Sequence, residues 1–382
     1  MINYSCRYYR ASKPCIFNKT DGSECPTCGH VSEFKERILF IKLDAIGDVL
    51  RSASLLPVIR DRHNAPFIAW LTRKESTELV GMMEHVDEVI ELSEVGLARV
   101  ATGGWDCVYS LSNDLPSAAI ATSAPVKQAR VGYYLQDGII RPSNDAAERW
   151  LDMAAFDRLK RENTQTYQAR MLAILGYEGS PVPPALKVDA DLLAQAAAQV
   201  SALFPKSQRA RLAINIGAGG RWPKKMLDAQ QIYQYIRALQ RRSEVDIMLV
   251  GGASEADKAK AVLALCGTDS HIQPVLTPSS IPHFVGVLKQ AQALLCGDTL
   301  ALHIATAIGL PTVAVFGPTS SAEIADFNGL VAKTWVSQLD CLVCYGDCDK
   351  PANCMSLLEV EYLADLTLGR LGIAAGLGTG PA

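Results

Sequence analysis

The sequence predicts an α/β fold of two domains, each containing a doubly wound, mostly parallel sheet. Short β-rich runs alternate with segments of helical periodicity from about residue 37 onward. Strands separated by helical crossovers are typical of a parallel sheet with helices on both faces. A Gly/Pro-rich break, EGSPVPP at 178–184, interrupts the alternation, which then begins again. At 382 residues the chain is long enough for two domains with separate cores.

The first half opens with RILFIKL (37–43), whose continuous apolar run is typical of a buried strand. The loop DAIGD and a helix over 49–61 follow it. Further strands are expected at PFIAWLT (66–72), DEVIEL (87–92), DCVYSL (106–111) and ARVGYY (129–134), with helices between them and a last helix over 162–177. We expect this domain to span residues 35–180.

The second half repeats the pattern. Strands are expected at ALKV (185–188), RLAINIG (211–217), VDIMLVGG (245–252), ALLCGD (293–298) and TVAVFGP (312–318). Helices are expected over 226–242, 254–265 and 281–290, and from Thr299. We expect this domain to span residues 181–336. A cysteine-rich N-terminal segment (1–34) precedes the two domains, and a cysteine-rich finger with a C-terminal helix and tail (337–382) follows them.

Composition and charge exclude several classes of protein. The net charge of −3 provides no overall basic field to attract nucleic acid. No apolar run approaches the roughly 20 residues that span a bilayer, and the start MINYSCRYYRASK lacks the apolar part of a signal peptide. We therefore expect a cytoplasmic protein. Peripheral contact with the inner face of the inner membrane, and oligomerisation, stay open.

The stretch GDTLALHIATAIGLPTVAVFGPTS (297–320) places polar residues at the start of an apolar helix. Ligands of open α/β sheets lie beyond the carboxyl ends of the strands, and free N–H groups at a helix start favour an anion. Asp298 and Thr299 lie at this turn, and Thr299, His303 and Thr306 share one helical face. Alternatively, Asp298 is only a helix cap and His303 a core histidine. The grouping favours an anion site.

A second candidate anion site lies in NIGAGGRWPKK (215–225). Gly217 and Gly219 allow the backbone to approach a ligand closely, and Lys225 can place its ammonium on phosphate oxygens. Two such sites in one domain indicate a diphosphate, as in a nucleotide-sugar. Gly251 lies in a third strand-to-helix turn, VGGAS, which suits a base or ribose and equally suits a tight turn without a ligand.

The first half has a candidate proton acceptor in LDAIGDVLRS. Gly47 permits a sharp turn after the first strand, and Asp48 is expected to project from the start of the next helix into a cleft between the domains. A carboxylate there is stabilised as the anion, as a proton acceptor requires. A helix cap is the alternative for Asp48, and Asp44 competes for the same role.

Eight of the eleven cysteines cluster at the two ends of the chain. They are Cys6, Cys15, Cys25 and Cys28 before the first strand, and Cys341, Cys344, Cys348 and Cys354 after the last. Cytosolic thiols are kept reduced, so a disulfide framework is not expected. Four thiolates with CxxC spacing fit a structural zinc site, and similar clusters hold iron or iron–sulfur centres.

The arrangement of these metal sites stays open. The sequence allows two sites or one built from both ends, and His30 can replace a cysteine. We expect the metal to be structural. The remaining cysteines, Cys107, Cys266 and Cys296, stand singly in apolar segments and are predicted to be packing residues.

In order and spacing, ILFIKLDAIGDVLRSASLLPVIR, GAGGRWPKK, MLVGG and GDTLALHIATAIGLPTVAVFGPTS resemble the heptosyltransferases, glycosyltransferase family nine, over residues 37–335. The resemblance implies the GT-B fold, in which two Rossmann-like domains face a cleft, the N-terminal one for the acceptor and the C-terminal one for the donor. It also implies inverting transfer of heptose from ADP-heptose to a hydroxyl of a lipopolysaccharide core or a protein, without a catalytic metal.

The same resemblance implies roles for individual residues. Asp48 matches the acidic residue that takes the acceptor proton, and Lys225 matches a lysine on the donor phosphate. Asp298, Thr299 and His303 match an Asp-Ser/Thr…His motif whose helix start holds the diphosphate. Leu300 stands where many relatives carry glycine, so the backbone donors remain but the closest approach to phosphate is in question.

Some members of the family that modify proteins carry a cysteine-rich metal finger, which the terminal cysteines resemble. Such a finger implies a place for acceptor docking or oligomerisation. Two other functions compete with sugar transfer. One is a nucleotide-sugar epimerase of the same fold, and the other is a catalytically inactive binding or scaffold protein held together by metal.

Overall fold

The computed structural model describes residues 1–217, 223–277 and 280–373. Gly219 and the tail from residue 374 lie outside the described residues. The chain divides into two units, residues 1–151 with 170–179, and residues 152–169 with 180 onward. The boundary expected at residue 180 assigns 152–169 to the first domain, whereas these residues group with the second unit. Each unit contains a six-stranded sheet, which confirms the predicted α/β class with two parallel-sheet domains.

The first sheet has the order β3-β2-β1-β4-β5-β6. Its strands are β1 Glu36–Ile41, β2 Pro66–Thr72, β3 Glu88–Glu91, β4 Trp105–Ser110, β5 Val126–Gln136 and β6 Ile139–Pro142. The first five are parallel, and β6 is antiparallel to β5. Every residue of β2 and β4 is buried, because helices cover both faces of a parallel sheet and the strands need apolar side chains on both sides.

The helices of the first unit are short. They are α1 Ile16–Asp21, α2 Ile46–Ser52, α3 Leu56–Arg62, α4 Thr77–Met82, α5 Glu94–Ala101 and α6 Leu115–Ser123. The single helix expected over 49–61 is wrong: a 3-10 turn, Ala53–Leu55, separates α2 from α3. Pro57 lies in the first turn of α3, where its missing N–H needs no partner, but it cannot continue a helix from upstream.

Three helices connect the sheets along the chain: α7 Asp145–Ala155, α8 Asp157–Glu162 and α9 Tyr167–Ile174. The helix expected over 162–177 is therefore shorter than predicted. Asn163 interrupts it, because the Asn163 side chain bonds the backbone of Gln165 and forms a local turn instead.

The second sheet is parallel throughout, in the order β12-β11-β10-β7-β8-β9. Its strands are β7 Ala210–Asn215, β8 Val245–Gly251, β9 Ile272–Leu276, β10 Ala293–Gly297, β11 Thr312–Val315 and β12 Val331–Thr334. Both edge strands, β9 and β12, are absent from the sequence prediction. Pro274 within β9 argues against a strand in sequence, but an edge strand tolerates it. The strand expected at ALKV (185–188) is wrong, because these described residues form no strand of either sheet.

Six helices accompany this sheet: α10 Ala190–Leu203, α11 Ala229–Gln240, α12 Ala256–Cys266, α13 Ile281–Leu288, α14 Leu300–Ile308 and α15 Val360–Arg370. The C-terminal helix α15 packs against α11, where the hydroxyls of Tyr235 and Thr367 are hydrogen-bonded at 2.6 Å in the buried core. Leu363 and Leu368 of α15 are fully buried in the same core. No helix in the described ranges combines the length and apolar character needed to cross a bilayer.

Replacement of Leu368 by Ala is expected to destabilise the second unit. Leu368 is 0 % exposed, and its truncation removes buried apolar surface and leaves a cavity, which costs roughly 2–5 kcal/mol. Leu357→Ala is the control, because Leu357 is 43 % exposed and should change stability by at most about 0.5 kcal/mol. Urea unfolding followed by far-UV circular dichroism measures both. Equal losses in the two variants would contradict the packing of α15.

Candidate functional site

The carboxyl edge of the second sheet gathers most of the predicted site residues. Neighbouring strands β10, β7 and β8 end there, at Gly297, Asn215 and Gly251. Open parallel sheets bind ligands beyond this edge. Two of the predicted donor-site residues, Asp298 and Thr299, directly follow β10, and Lys225 lies beside them.

An ion pair joins two of these residues. The Lys225 ammonium donates to the backbone carbonyl of Asp298 at 3.2 Å and lies 3.4 Å from its carboxylate oxygen Oδ2. The other carboxylate oxygen, Oδ1, lies 3.9 Å from Nε2 of the buried His303. The Lys225 and Asp298 side chains are only 15 % and 19 % exposed. Asp298 therefore holds Lys225 in place and lies close to His303.

Gly297 permits this arrangement. A Cβ atom at residue 297 would lie 1.9 Å from the carbonyl oxygen of Lys225, much closer than any real contact. Only glycine lets the backbone that carries Lys225 cross the end of β10 so closely. The position of the ammonium therefore depends on this glycine, which the sequence analysis did not single out.

The start of α14 has no side-chain cap. Helix α14 begins at Leu300, one residue later than predicted, and Thr299 is its N-cap but makes no side-chain capping bond. The Thr299 hydroxyl instead accepts a hydrogen bond from Asn215 at 3.1 Å. The first N–H groups of a helix have no intrahelical partner, so without a side-chain cap they can bind an anion. Leu300 is half-buried and its backbone N–H does not depend on its side chain.

Two polar residues of this edge were missed by sequence reasoning. Asn215, only 5 % exposed, donates to the Gly217 carbonyl at 2.9 Å as well as to Thr299, and so links the end of β7 to the start of α14. Its signal in the sequence is a lone amide at the end of an apolar strand. The second residue, Glu255, follows the Gly-Gly turn after β8.

The Glu255 carboxylate explains the two glycines predicted nearby. Its Oε2 accepts hydrogen bonds from the Gly252 N–H at 2.8 Å and the Ser254 hydroxyl at 2.9 Å. A Cβ atom added at Gly217 or at Gly251 would lie 3.0 Å from the Glu255 side chain. The glycines therefore make room for a carboxylate at the carboxyl edge of the second sheet. Such a carboxylate can accept hydrogen bonds from ligand hydroxyls.

In the first unit, Asp48 lies in the first turn of α2. Its Oδ1 is 2.7 Å from the guanidinium of Arg51, one turn further along the helix. The cap of α2 is Ala45, so the alternative that Asp48 is a helix cap is wrong. The Asp48 side chain is 34 % exposed whereas that of Arg51 is 12 % exposed, so the carboxylate is accessible and its partner is not.

Asp44 lies in a different environment. Its Oδ2 is 2.6 Å from the ammonium of Lys42, which is 3 % exposed, and it also accepts a hydrogen bond from the Ser112 hydroxyl. Burial acts to raise the pKa of Asp44, but the charge of Lys42 and the hydrogen bonds from Lys42 and Ser112 outweigh it and hold that pKa below its usual value. Asp44 is therefore tied into a structural ion pair and is a poorer proton acceptor.

None of the eleven cysteines forms a disulfide. Cys107 and Cys296 are buried, as expected of packing residues, and Cys266 is partly buried. Across residues 1–217, 223–277 and 280–373, no three His, Cys, Asp or Glu side chains lie close enough together to hold a metal ion. The metal sites at both ends stay predictions.

Cys354 and the backbone around Cys344 nevertheless contact the same turn of the chain, Gly317–Pro318. Burial raises the pKa of the Cys354 thiol, and the charges of Cys344, Cys348 and Cys341 raise it further. A Cβ at Gly317 would lie 2.3 Å from the Cys354 sulfur. The N–H groups on both sides of Cys344 donate to the carbonyls of Gly317 and Pro318, at 2.9 and 2.8 Å.

Glycosyltransferase family 9 (heptosyltransferase) has a family model that matches residues 98–352. No curated protein matches the sequence significantly. The E. coli ADP-heptose lps heptosyltransferase II superposes with a TM-score of 0.67 at 18 % identity, covering 88 % of this chain and 98 % of that one. A glycosyl transferase family 9 structure from Veillonella parvula gives 0.65 at 16 %, covering 88 % and 97 %.

The E. coli heptosyltransferase WaaC with ADP is also similar, with a TM-score of 0.54 at 16 % identity, covering 86 % of this chain and 95 % of that chain. At such identities these likenesses establish the fold and not the ligand.

Asp44→Ala is expected to lower the free energy of unfolding by roughly 1–3 kcal/mol at neutral pH, because the buried Lys42 loses a charged partner. The pKa of Asp44 is lowered in the folded state, so its contribution is present above its unfolded pKa of about 4 and is lost as the pH falls through the lower, folded pKa. The difference in the free energy of unfolding between Asp44→Ala and the native protein should therefore become smaller at acidic pH. Urea unfolding at neutral and acidic pH measures it.

The exposed carboxylate Glu75 provides the control. Glu75→Ala should change stability little at either pH. If the difference in the free energy of unfolding between Asp44→Ala and the native protein stays constant with pH, the ion pair does not stabilise the fold.

Proposed function

The chain belongs to glycosyltransferase family 9, the heptosyltransferases, and is a glycosyltransferase; we propose that it transfers heptose from ADP-heptose to a hydroxyl group with inversion. The observation that carries this proposal is the arrangement of Lys225 beside the uncapped start of α14, at the carboxyl edge of the second sheet. Two E. coli structures of the same fold are described as an ADP-heptose heptosyltransferase and a heptosyltransferase with ADP, which favours ADP-heptose as the donor.

The donor diphosphate would bind between Lys225 and the first N–H groups of α14. In the reaction, the acceptor oxygen forms a bond to the anomeric carbon while the bond from that carbon to the diphosphate oxygen breaks. The electron pair leaves with ADP, so negative charge increases on the diphosphate. An ammonium and backbone dipoles that are already in place stabilise that charge most strongly in the transition state.

Asp298 and Asn215 would act by positioning these groups. Asp298 holds the Lys225 ammonium, and Asn215 holds the Thr299 side chain away from the helix N–H groups. Leu300 replaces a glycine of many relatives without removing a backbone donor. Glu255, at the end of the neighbouring strand β8, is placed to accept hydrogen bonds from the ribose hydroxyls of the nucleotide.

Asp48 would accept the proton of the acceptor hydroxyl as the new bond forms. Its accessibility favours it over Asp44, which is paired with the buried Lys42 and hydrogen-bonded to Ser112. The Arg51 guanidinium orients the Asp48 carboxylate. No step of this mechanism requires a metal ion. The acceptor hydroxyl belongs either to a lipopolysaccharide core or to a protein.

Asp48→Ala is expected to reduce the rate of transfer roughly 10²–10⁴-fold, the usual contribution of a positioned general base. The affinity for ADP should change less than about twofold, because Asp48 and the proposed diphosphate site lie in different units. ADP release in the presence of acceptor measures the rate, and calorimetry measures the affinity. Asp61→Ala, which removes an exposed carboxylate of α3, is the matched control and should keep full activity.

Lys225→Met is expected to weaken ADP binding roughly 10- to 100-fold, as loss of a charge-assisted hydrogen bond to phosphate predicts. Adenosine has no phosphate, so its affinity should be nearly unchanged, and this also checks that the site still folds. Lys224→Met is the control, because the neighbouring Lys224 is exposed. Equal weakening of ADP and adenosine would place Lys225 away from the phosphates.

The two competing functions give different products. A nucleotide-sugar epimerase releases free sugar without any acceptor, and an inactive scaffold binds ADP but transfers nothing. ADP binding without transfer to lipopolysaccharide-core or protein hydroxyls would therefore contradict the proposed reaction and favour the scaffold.

We also propose that Cys341, Cys344, Cys348 and Cys354 hold a structural metal, zinc or iron. The support is the CxxC spacing of Cys341 and Cys344, the contacts of Cys354 and of the backbone around Cys344 with the Gly317–Pro318 turn, and the absence of helix or strand in residues 341–354. Four soft thiolates suit either metal. The metal would order this stretch and so provide a surface for acceptor docking or oligomerisation.

A further inference from the structure

Residues 1–34 are ordered without a hydrophobic core. No residue in this N-terminal segment is buried. Its regular structure is limited to the six-residue helix α1, a three-residue 3-10 turn, Cys25–Thr27, and one isolated β-bridge. A segment of this size buries too little apolar surface to offset its conformational entropy and needs a further cross-link, such as a disulfide or a metal.

The two ends of the segment are fixed side by side. Cys6 forms an antiparallel β-bridge with Glu33, and the Arg7 N–H donates to the Ser32 carbonyl at 2.9 Å. The Arg7 guanidinium in turn contacts the Asp87 carboxylate at 2.6 Å. This ion pair attaches the paired ends of the segment to the rest of the first unit. Cys6 is therefore held next to the chain that emerges from Cys28, and the residues between them form a closed loop.

All four N-terminal cysteines line one cavity inside this loop. They are Cys6, Cys15, Cys25 and Cys28. Cys25 and Cys28 flank the 3-10 turn, and the Cys28 sulfur accepts a hydrogen bond from the His30 N–H at 3.4 Å. This contact orients the Cys28 sulfur.

His30 supports the wall of the cavity. Its ring stacks on Phe17 with centroids 4.0 Å apart and planes 7° from parallel, and Tyr8 packs edge-on against the same Phe17 at 4.9 Å. Its Nε2 lies 3.0 Å from the Asp21 carboxylate. These contacts give the imidazole a structural role, so the fourth ligand position falls to a cysteine.

We propose that Cys6, Cys15, Cys25 and Cys28 together bind one divalent metal ion of the zinc class as four thiolates. Each thiol releases its proton to solvent, and each sulfur gives an electron pair to the ion. Tetrahedral four-thiolate sites are the preferred environment of such ions in structural positions. No three of these side chains are within ligating distance of a common point as described, so binding draws them together. Because the loop has no hydrophobic core, little packing opposes this movement of the side chains. Metal binding is therefore coupled to folding of the loop.

Metal analysis of the purified full-length chain tests the site. The double variant Cys25→Ser/Cys28→Ser is expected to contain one metal equivalent fewer than the native chain. The variant Cys344→Ser/Cys348→Ser should keep the equivalent that the N-terminal variant loses. Cys266→Ser, a single cysteine outside both clusters, is the matched control and should lose none. Far-UV circular dichroism and ADP binding check that each variant folds.

Cobalt substitution identifies the ligands. The native chain loaded with Co²⁺ should show sulfur-to-metal charge-transfer bands and the visible bands of a tetrahedral site. Part of this absorption should be lost in Cys25→Ser/Cys28→Ser and retained in His30→Ala. An unchanged metal content in the N-terminal double variant would overturn the proposal. Loss of metal in His30→Ala, or iron accompanied by acid-labile sulfide, would overturn the four-thiolate assignment. Each readout is independent of transferase activity.

Discussion

The close approach of Lys225 to the end of β10 is the constraint on which the candidate site depends. It is possible only because residue 297 has no side chain, and it brings an ammonium to Asp298, two residues before α14. The same turn contains Asp298, which fixes the ammonium, and Thr299, which Asn215 draws away from the helix start. A cation and a helix start without a side-chain cap thus lie at one edge of the sheet, and contacts within the protein set their positions.

Carboxylates in four environments illustrate how surroundings decide the role of one chemical group. Asp44 neutralises a buried lysine, and Asp298 positions a lysine that is itself directed at the ligand edge. Asp48 remains accessible beside a buried arginine, which suits proton transfer. Glu255 is fixed by backbone and hydroxyl donors on one oxygen, which suits recognition of hydroxyls. The family and the fold alone do not distinguish these roles, whereas their contacts do.

The central strands and the ligand edge could be predicted from sequence because both are local patterns. Buried parallel strands give continuous apolar runs, and glycines with polar residues after such runs mark the turns. Other features depend on contacts between distant residues. The edge strand with Pro274, the pairing of Asp298 with Lys225, and the bond between Asn215 and Thr299 have no local signature. The division of the helix expected over 49–61 could have been predicted, because Pro57 favours the first turn of a new helix and cannot continue one from upstream.

The C-terminal helix α15 anchors one end of the cysteine-rich stretch that precedes it, residues 335–359. Strand β12 fixes the chain at Val331–Thr334 and α15 fixes it again from Val360, while Gln231 holds the Met355 carbonyl at 2.6 Å. The intervening residues form a loop with both ends tethered to the core. The entropy of closing such a loop rises only logarithmically, by about 0.6 kcal/mol for each doubling of length. A change in the length of this loop is therefore expected to cost little free energy of folding, provided that both ends stay attached to the core.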